Sequence, residues 1–78
     1  MARDTTVSVA AEMVANVLEV PVSQGQQVAV GETVVLLESM KMEIPVLAEV
    51  AGRVTAINFA PGDVVQEGDV LVVLTRAG

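Results

Sequence analysis

The chain contains no cysteine, histidine, tyrosine or tryptophan, and its one aromatic residue is Phe59. Without cysteine there is no disulfide and no thiolate chemistry. Without histidine or cysteine, the usual zinc sites and the usual Ser/His and Cys/His catalytic arrangements cannot be assembled. Positive charge is scarce as well. Arg3, Lys41, Arg53 and Arg76 stand against ten acidic residues, for a formal net charge of -6. The four cations do not cluster in sequence, which argues against a nucleic-acid partner; the acidic surface serves solubility. No apolar run approaches the ~18 residues of a membrane span. The N-terminus, Met1-Ala2-Arg3-Asp4, lacks the apolar stretch of a secretory signal. A cytoplasmic protein with no membrane partner is therefore expected. Little is left with which to build an active site.

What is present is aliphatic. The chain is 53% hydrophobic with a mean hydropathy of +0.63, and eighteen of its 78 residues are valine. Branched side chains of this kind pack well on pleated strands. Seventy-eight residues allow one small domain, spanning 1–78.

The chain overlays itself at an offset of 37 residues. Gly25 falls on Gly62, Gly31 on Gly68, Val28 on Val65, Val35 on Val72 and Leu37 on Leu74. Upstream, Val9 falls on Val46, Ala11 on Ala48, Glu12 on Glu49 and Val17 on Val54. Glu32 meets Asp69, which preserves the charge. The halves run from about 4 to 40 and from 41 to 78. In each, a glycine precedes a short strand, a Gly-acidic pair turns the chain, and a longer apolar strand follows. A phosphate-cradling glycine loop does not fit, because the spacing is wrong and no helical period follows.

The alternation and turn signals predict strands at Thr5–Val9, Ala15–Val20, Gln27–Val30, Thr33–Glu38, Met42–Leu47, Gly52–Asn58, Val64–Glu67 and Val70–Thr75. No stretch shows a convincing helical period, and Pro45 and Pro61 would interrupt one. Two copies of a four-strand unit imply an all-β fold of two antiparallel four-stranded sheets related by a quasi-twofold, packed face to face.

The seam between the copies falls at Lys41, the only lysine. The flanking strands leave about three residues for a tight hairpin turn. Under the quasi-twofold the equivalent place is the pair of chain ends, so Lys41 is expected on a protruding turn opposite them. A free lysine amine is almost wholly protonated at neutral pH, so Lys41 is a poor catalyst alone. It suits a role as acceptor when another enzyme supplies an activated acid and a base, its long stem becoming a tether. Met40 and Met42 could fold back as core filler or form a soft contact surface for other enzymes. Ser39 reads as a turn hydroxyl, since no base exists to activate it.

Ser39-Met40-Lys41-Met42-Glu43 resembles the biotin attachment motif, usually Ala-Met-Lys-Met, of biotinyl carrier domains. The resemblance extends over essentially the whole chain. Glu12-Met13-Val14-Ala15-Asn16-Val17 stands where the family has Ala-Pro-Met-Pro-Gly-Thr-Val, and Ala48-Glu49-Val50-Ala51-Gly52-Arg53-Val54 resembles its second-half counterpart. Pro61-Gly62-Asp63, Val65, Gly68-Asp69 and Leu71 match the closing segment. The resemblance implies a flattened barrel or sandwich with the modified lysine at a hairpin tip. It implies covalent biotin on Lys41, with Ser39, Met40, Met42 and Glu43 as recognition flank. Biotin protein ligase would join biotin to the amine; biotin carboxylase would load a carboxyl group, and a carboxyltransferase would move it, for an acyl-CoA carboxylase. The domain is expected to be monomeric and not catalytic alone. Modification would take the formal net charge from -6 to -7, by loss of one cation.

Two departures stand out. Ser39 replaces the usual alanine. Ala15 stands where glycine is usual, while its repeat partner Gly52 keeps it, and a positive φ at Ala15 would strain that turn. Two other functions fit related frames. A lipoyl carrier shares the glycine pattern, although lipoyl sites usually read Asp-Lys-Ala. A non-carrier interaction module with the same fold is the other.

Overall fold

The computed structural model describes residues 4–77. It contains eight strands and, among the described residues, no helix. In chain order these are β1 (Asp4–Ala10), β2 (Ala15–Glu19), β3 (Gln27–Val28), β4 (Thr33–Ser39), β5 (Met42–Leu47), β6 (Gly52–Ile57), β7 (Val64–Val65) and β8 (Val70–Ala77). One sheet has the order β1-β8-β6-β3 and the other β5-β4-β2-β7, with every pairing antiparallel. The shift of 37 residues carries β1 to β5, β2 to β6, β3 to β7 and β4 to β8. The first sheet therefore maps strand for strand onto the second.

The hydrogen bonds repeat in the same way. Gly68 N donates to Ala11 O at 2.8 Å, and its counterpart Gly31 N donates to Ala48 O at 2.9 Å. Ala11 N to Asp69 O is matched by Ala48 N to Glu32 O, both at 2.8 Å. Bulges recur as well: β1 shifts register between Val9 and Ala10 against β8, and β4 shifts between Thr33 and Val35 against β5. Among the described residues, one backbone bond outside the ladders has no twin. Asn58 N donates to Leu71 O at 2.9 Å, and the counterpart of Asn58 is Pro21, which has no N–H to give.

Alternation decides which side chains meet between the sheets. Val17, Val54, Val28, Val65, Val35, Val72, Leu37 and Leu74 are all at most 2% exposed, and they form four repeat pairs. Each such side chain contributes on the order of 1.5–3 kcal/mol through burial. Among the described residues no polar or charged side chain is buried, so the core is wholly aliphatic. Phe59 packs against it half-buried.

Several strand ends differ from the expected ones. β3 and β7 stop at Val28 and Val65, two residues short. The next residues close turns instead: Ala29 N donates to Glu32 Oε1 at 3.0 Å, and Gln66 N to Asp69 Oδ2 at 2.8 Å. β2 and β6 also end one residue early, at Glu19 and Ile57, while β4 gains Ser39. β1 and β8 pair further outward than expected, to Asp4↔Ala77.

Ala15 does not take a positive φ and so carries no such strain; among the described residues the non-glycine residues with positive φ are Met40 and Lys41. Gly52 does not need positive φ either. A Cβ there would lie 2.8 Å from the carbonyl oxygen of Thr75, so that glycine answers to space. Ala15 carries its methyl into the core at 5% exposure.

Candidate functional site

The molecule is long and narrow, 46 × 19 × 17 Å. The quasi-twofold exchanges the β4–β5 hairpin tip with the place where Asp4 and Ala77 pair, so the two lie at opposite ends. Lys41 is on that tip, as expected.

The turn is shorter than the three residues expected. β4 runs through Ser39, and β5 starts at Met42, leaving only Met40 and Lys41. Both have positive φ, 53° and 66°. Two central residues with φ > 0 define the type I′ hairpin loop, whose twist matches that of the flanking strands. Asn-Gly is the usual occupant because L-residues with larger side chains resist this conformation, by roughly 1–2 kcal/mol each. Pairing holds it here: Ser39↔Met42, Glu38↔Glu43 and Leu37↔Ile44 lock the register below the loop. Leu37, 1% exposed, anchors that ladder in the core. Slippage by one residue would turn Leu37 out to solvent, so the register is firmly set.

Met40 is 90% exposed, Met42 is 61% exposed, and Lys41 and Glu43 are exposed. The methionines are therefore not core filler. Ser39 is half-buried within β4 and directly opposite Met42. It is a strand residue and not a turn hydroxyl. The five expected residues thus come together on one hairpin. Glu38 joins them, although it was not among the sequence candidates. It is half-buried and faces Glu43 across the ladder. Counting outward from a two-residue turn would have shown this pairing.

Two surface concavities lie away from Lys41. One is lined by residues such as Arg53, Thr75 and Arg76, the other by residues of β1 and β5 with Met13 and Val30. No metal-binding group of histidine, cysteine or carboxylate residues occurs among the described residues. What the geometry offers is the one lysine amine, held out on an exposed hairpin tip. A biotin carboxyl group could be joined to it as an amide without displacing any packed atom.

A two-sheet sandwich with internal twofold repeat and a lone lysine on a strained hairpin tip defines a covalent-carrier domain. The chain belongs to the biotin/lipoyl attachment family, described as biotin-requiring enzyme, whose pattern matches residues 4–74. It is 58% identical to the biotinylated protein TB7.3 homolog of Mycobacterium leprae, over 86% of this chain and 94% of that one. It is 43% identical to the biotin/lipoyl attachment protein of Bacillus subtilis, over 90% and 96% of the two chains. Among solved structures, it superposes on a single-chain, multi-domain long-chain acyl-CoA carboxylase with a TM-score of 0.86 and 35% identity. That match covers 91% of this chain and only 7% of the carboxylase.

Proposed function

We propose that this chain is a biotin carboxyl carrier, with Lys41 as the attachment residue, working with the components of a biotin-dependent acyl-CoA carboxylase. The observation that carries the reading is the Met40-Lys41 turn: the only lysine stands in a backbone conformation that non-glycine residues rarely adopt, flanked by exposed methionines. Attached biotin supplies a ring nitrogen that carries a carboxyl group between two active sites. The chain's own part is mechanical and recognitive. The type I′ loop keeps the amine clear of the sheets, so a biotin protein ligase that uses ATP to activate the biotin carboxyl group can reach Nζ: the bond to the activating group breaks as the N–C amide bond forms, and Nζ gives up its protons to a base on the ligase. Met40 and Met42 offer adaptable apolar contacts to that ligase and to the carboxylase and carboxyltransferase sites. With no histidine or cysteine in the chain, and no buried polar side chain among the described residues, all bond-making falls to its partners.

The test is intact mass after incubation with ligase, ATP and biotin. The expected product gains one biotin less one water, mapped to Lys41 by peptide sequencing. Lys41→Arg is expected to fold normally and gain nothing. Retained biotin in that variant would place the site elsewhere, and a lipoyl increment on the native protein would overturn biotin as the cargo.

A further inference from the structure

The repeat supplies an internal control. Each residue on the outer face of one sheet has a counterpart, 37 positions away, on matching backbone in the other. Where counterparts differ in character, the fold does not demand the difference. The sheet that ends in Lys41 carries Leu18, Leu36, Pro45 and Val64 on its outer face, with Leu18 and Leu36 half-buried, Pro45 exposed and Val64 57% exposed. The other sheet has Thr55, Val73, Ser8 and Gln27 in those places.

The polar face satisfies itself. Thr55 and Thr75 share a hydroxyl hydrogen bond at 3.2 Å, and Thr55 Oγ1 donates to Val73 O at 3.2 Å. The counterparts of Thr55 and Thr75 are Leu18 and Glu38, which replace that pair with a leucine beside a carboxylate. Toward the tip, Glu38 and Glu43 face each other where the other sheet pairs Thr75 with Thr6. Arg53 on the other sheet is matched by the neutral Asn16 on this one. One face is hydroxyl-rich; the other is apolar with an acidic rim.

We infer that the outer face of the Lys41 sheet is a docking surface, and that its occupant is the biotin carboxylase component that receives the Lys41 tip. The inference rests on the carrier reading above. The matching surface is an apolar patch rimmed by arginine or lysine. Continuity selects this occupant, because β4 and β5 run from the face directly into the tip. Charge selects it too. The rim carboxylates have Lys41 as their neighbouring cation on this hairpin, and amide formation removes that charge. A second copy would set like carboxylates together on a molecule of net charge -6, which opposes self-association.

The experiment uses Leu18→Thr/Val64→Gln, which puts on this face the Thr55 and Gln27 side chains that the other face holds in those places. Circular dichroism and Tm establish that it folds. Wild type and variant are biotinylated, then assayed with biotin carboxylase and labelled bicarbonate at varied carrier concentration. The expected result is complete biotinylation, unchanged kcat, and a KM for the carrier raised about tenfold, the scale of losing one well-packed anchor. Wild-type KM is expected to rise with salt. Thr55→Leu on the other sheet should leave KM unchanged. An unaltered KM in the double variant overturns the inference. So does a wild-type dimer in sedimentation that the double variant disrupts, which assigns the face to a second copy. Slower biotinylation with unchanged KM assigns it to the ligase and also overturns it. Failure of the carrier reading is distinguishable, because it shows in the wild type as biotinylated protein that takes no label.

Discussion

At Gly25 the backbone has φ +93°, and an added Cβ would meet nothing within 4 Å. Conformation alone requires glycine there. Gly52 is the opposite case, with ordinary φ and a carbonyl oxygen 2.8 Å from the missing Cβ. Spacing in the sequence picks out both residues but cannot separate these causes, so it leaves open whether the alanine at 15 is strained; the backbone there shows that it is not. The same distinction bears on the tip. Met40 and Lys41 take conformations that glycine would adopt freely. Met40→Gly is therefore expected to stabilise the fold by about 1 kcal/mol. For a domain of this size that raises Tm by roughly 4–8 °C. Biotinylation of the same variant should slow, since the 90% exposed thioether is lost. Thermal denaturation and a ligase time course check the two directions. A variant both less stable and equally modified would show that the Met40 side chain has a structural role.

The turns show what one strand-to-strand connection needs. In each repeat a side-chain oxygen accepts from a backbone N–H three residues earlier. Asp69 Oδ2 accepts from Gln66 N at 2.8 Å and Asp63 Oδ2 from Ala60 N at 2.8 Å. In the first half Glu32 and Gln26 do the same for Ala29 and Ser23, each at 3.0 Å. The acidic residue after Gly31 and Gly68 is thus more than a tolerated loop residue: it closes the turn. Its role was not legible from sequence, because Glu and Asp at a turn suit plain solvation equally well. That contact also explains why β3 and β7 end two residues before the apolar alternation does. Asp69→Ala is expected to lower stability by about 1 kcal/mol, and Asp69→Asn by less, since its side-chain oxygen can still accept. Urea denaturation with an unchanged m-value would confirm a local loss. Equal effects of both variants would point to charge in place of the hydrogen bond.

Over the whole molecule, the repeat is not two small domains in series. β1 and β3 of the first half join β6 and β8 of the second in one sheet, while β2 and β4 join β5 and β7 in the other. The pairs β1–β8, β2–β7 and β3–β6 all cross the seam at Lys41. The offset of 37 residues made the symmetry legible, and the lysine at its seam followed. Which strands pair was not legible, because a repeat alone fits two adjacent units as well as two interlocked ones. Interlocking has a direct consequence. Within 4–40 the only complete pairing is β2–β4, and within 41–78 it is β6–β8, and two-stranded pairs are marginal in water. Fragments 1–40 and 41–78 should each be disordered by circular dichroism. Mixed in equal amounts, they should regain the strand spectrum, with a midpoint that depends on concentration because association is now bimolecular. A fragment that folds alone would show that one half holds a sufficient core. The cut leaves both sheets intact and interrupts only the Met40–Lys41 loop. The reassembled pair should then resemble the native sandwich while accepting biotin poorly, since the amine would no longer be held on a closed type I′ turn.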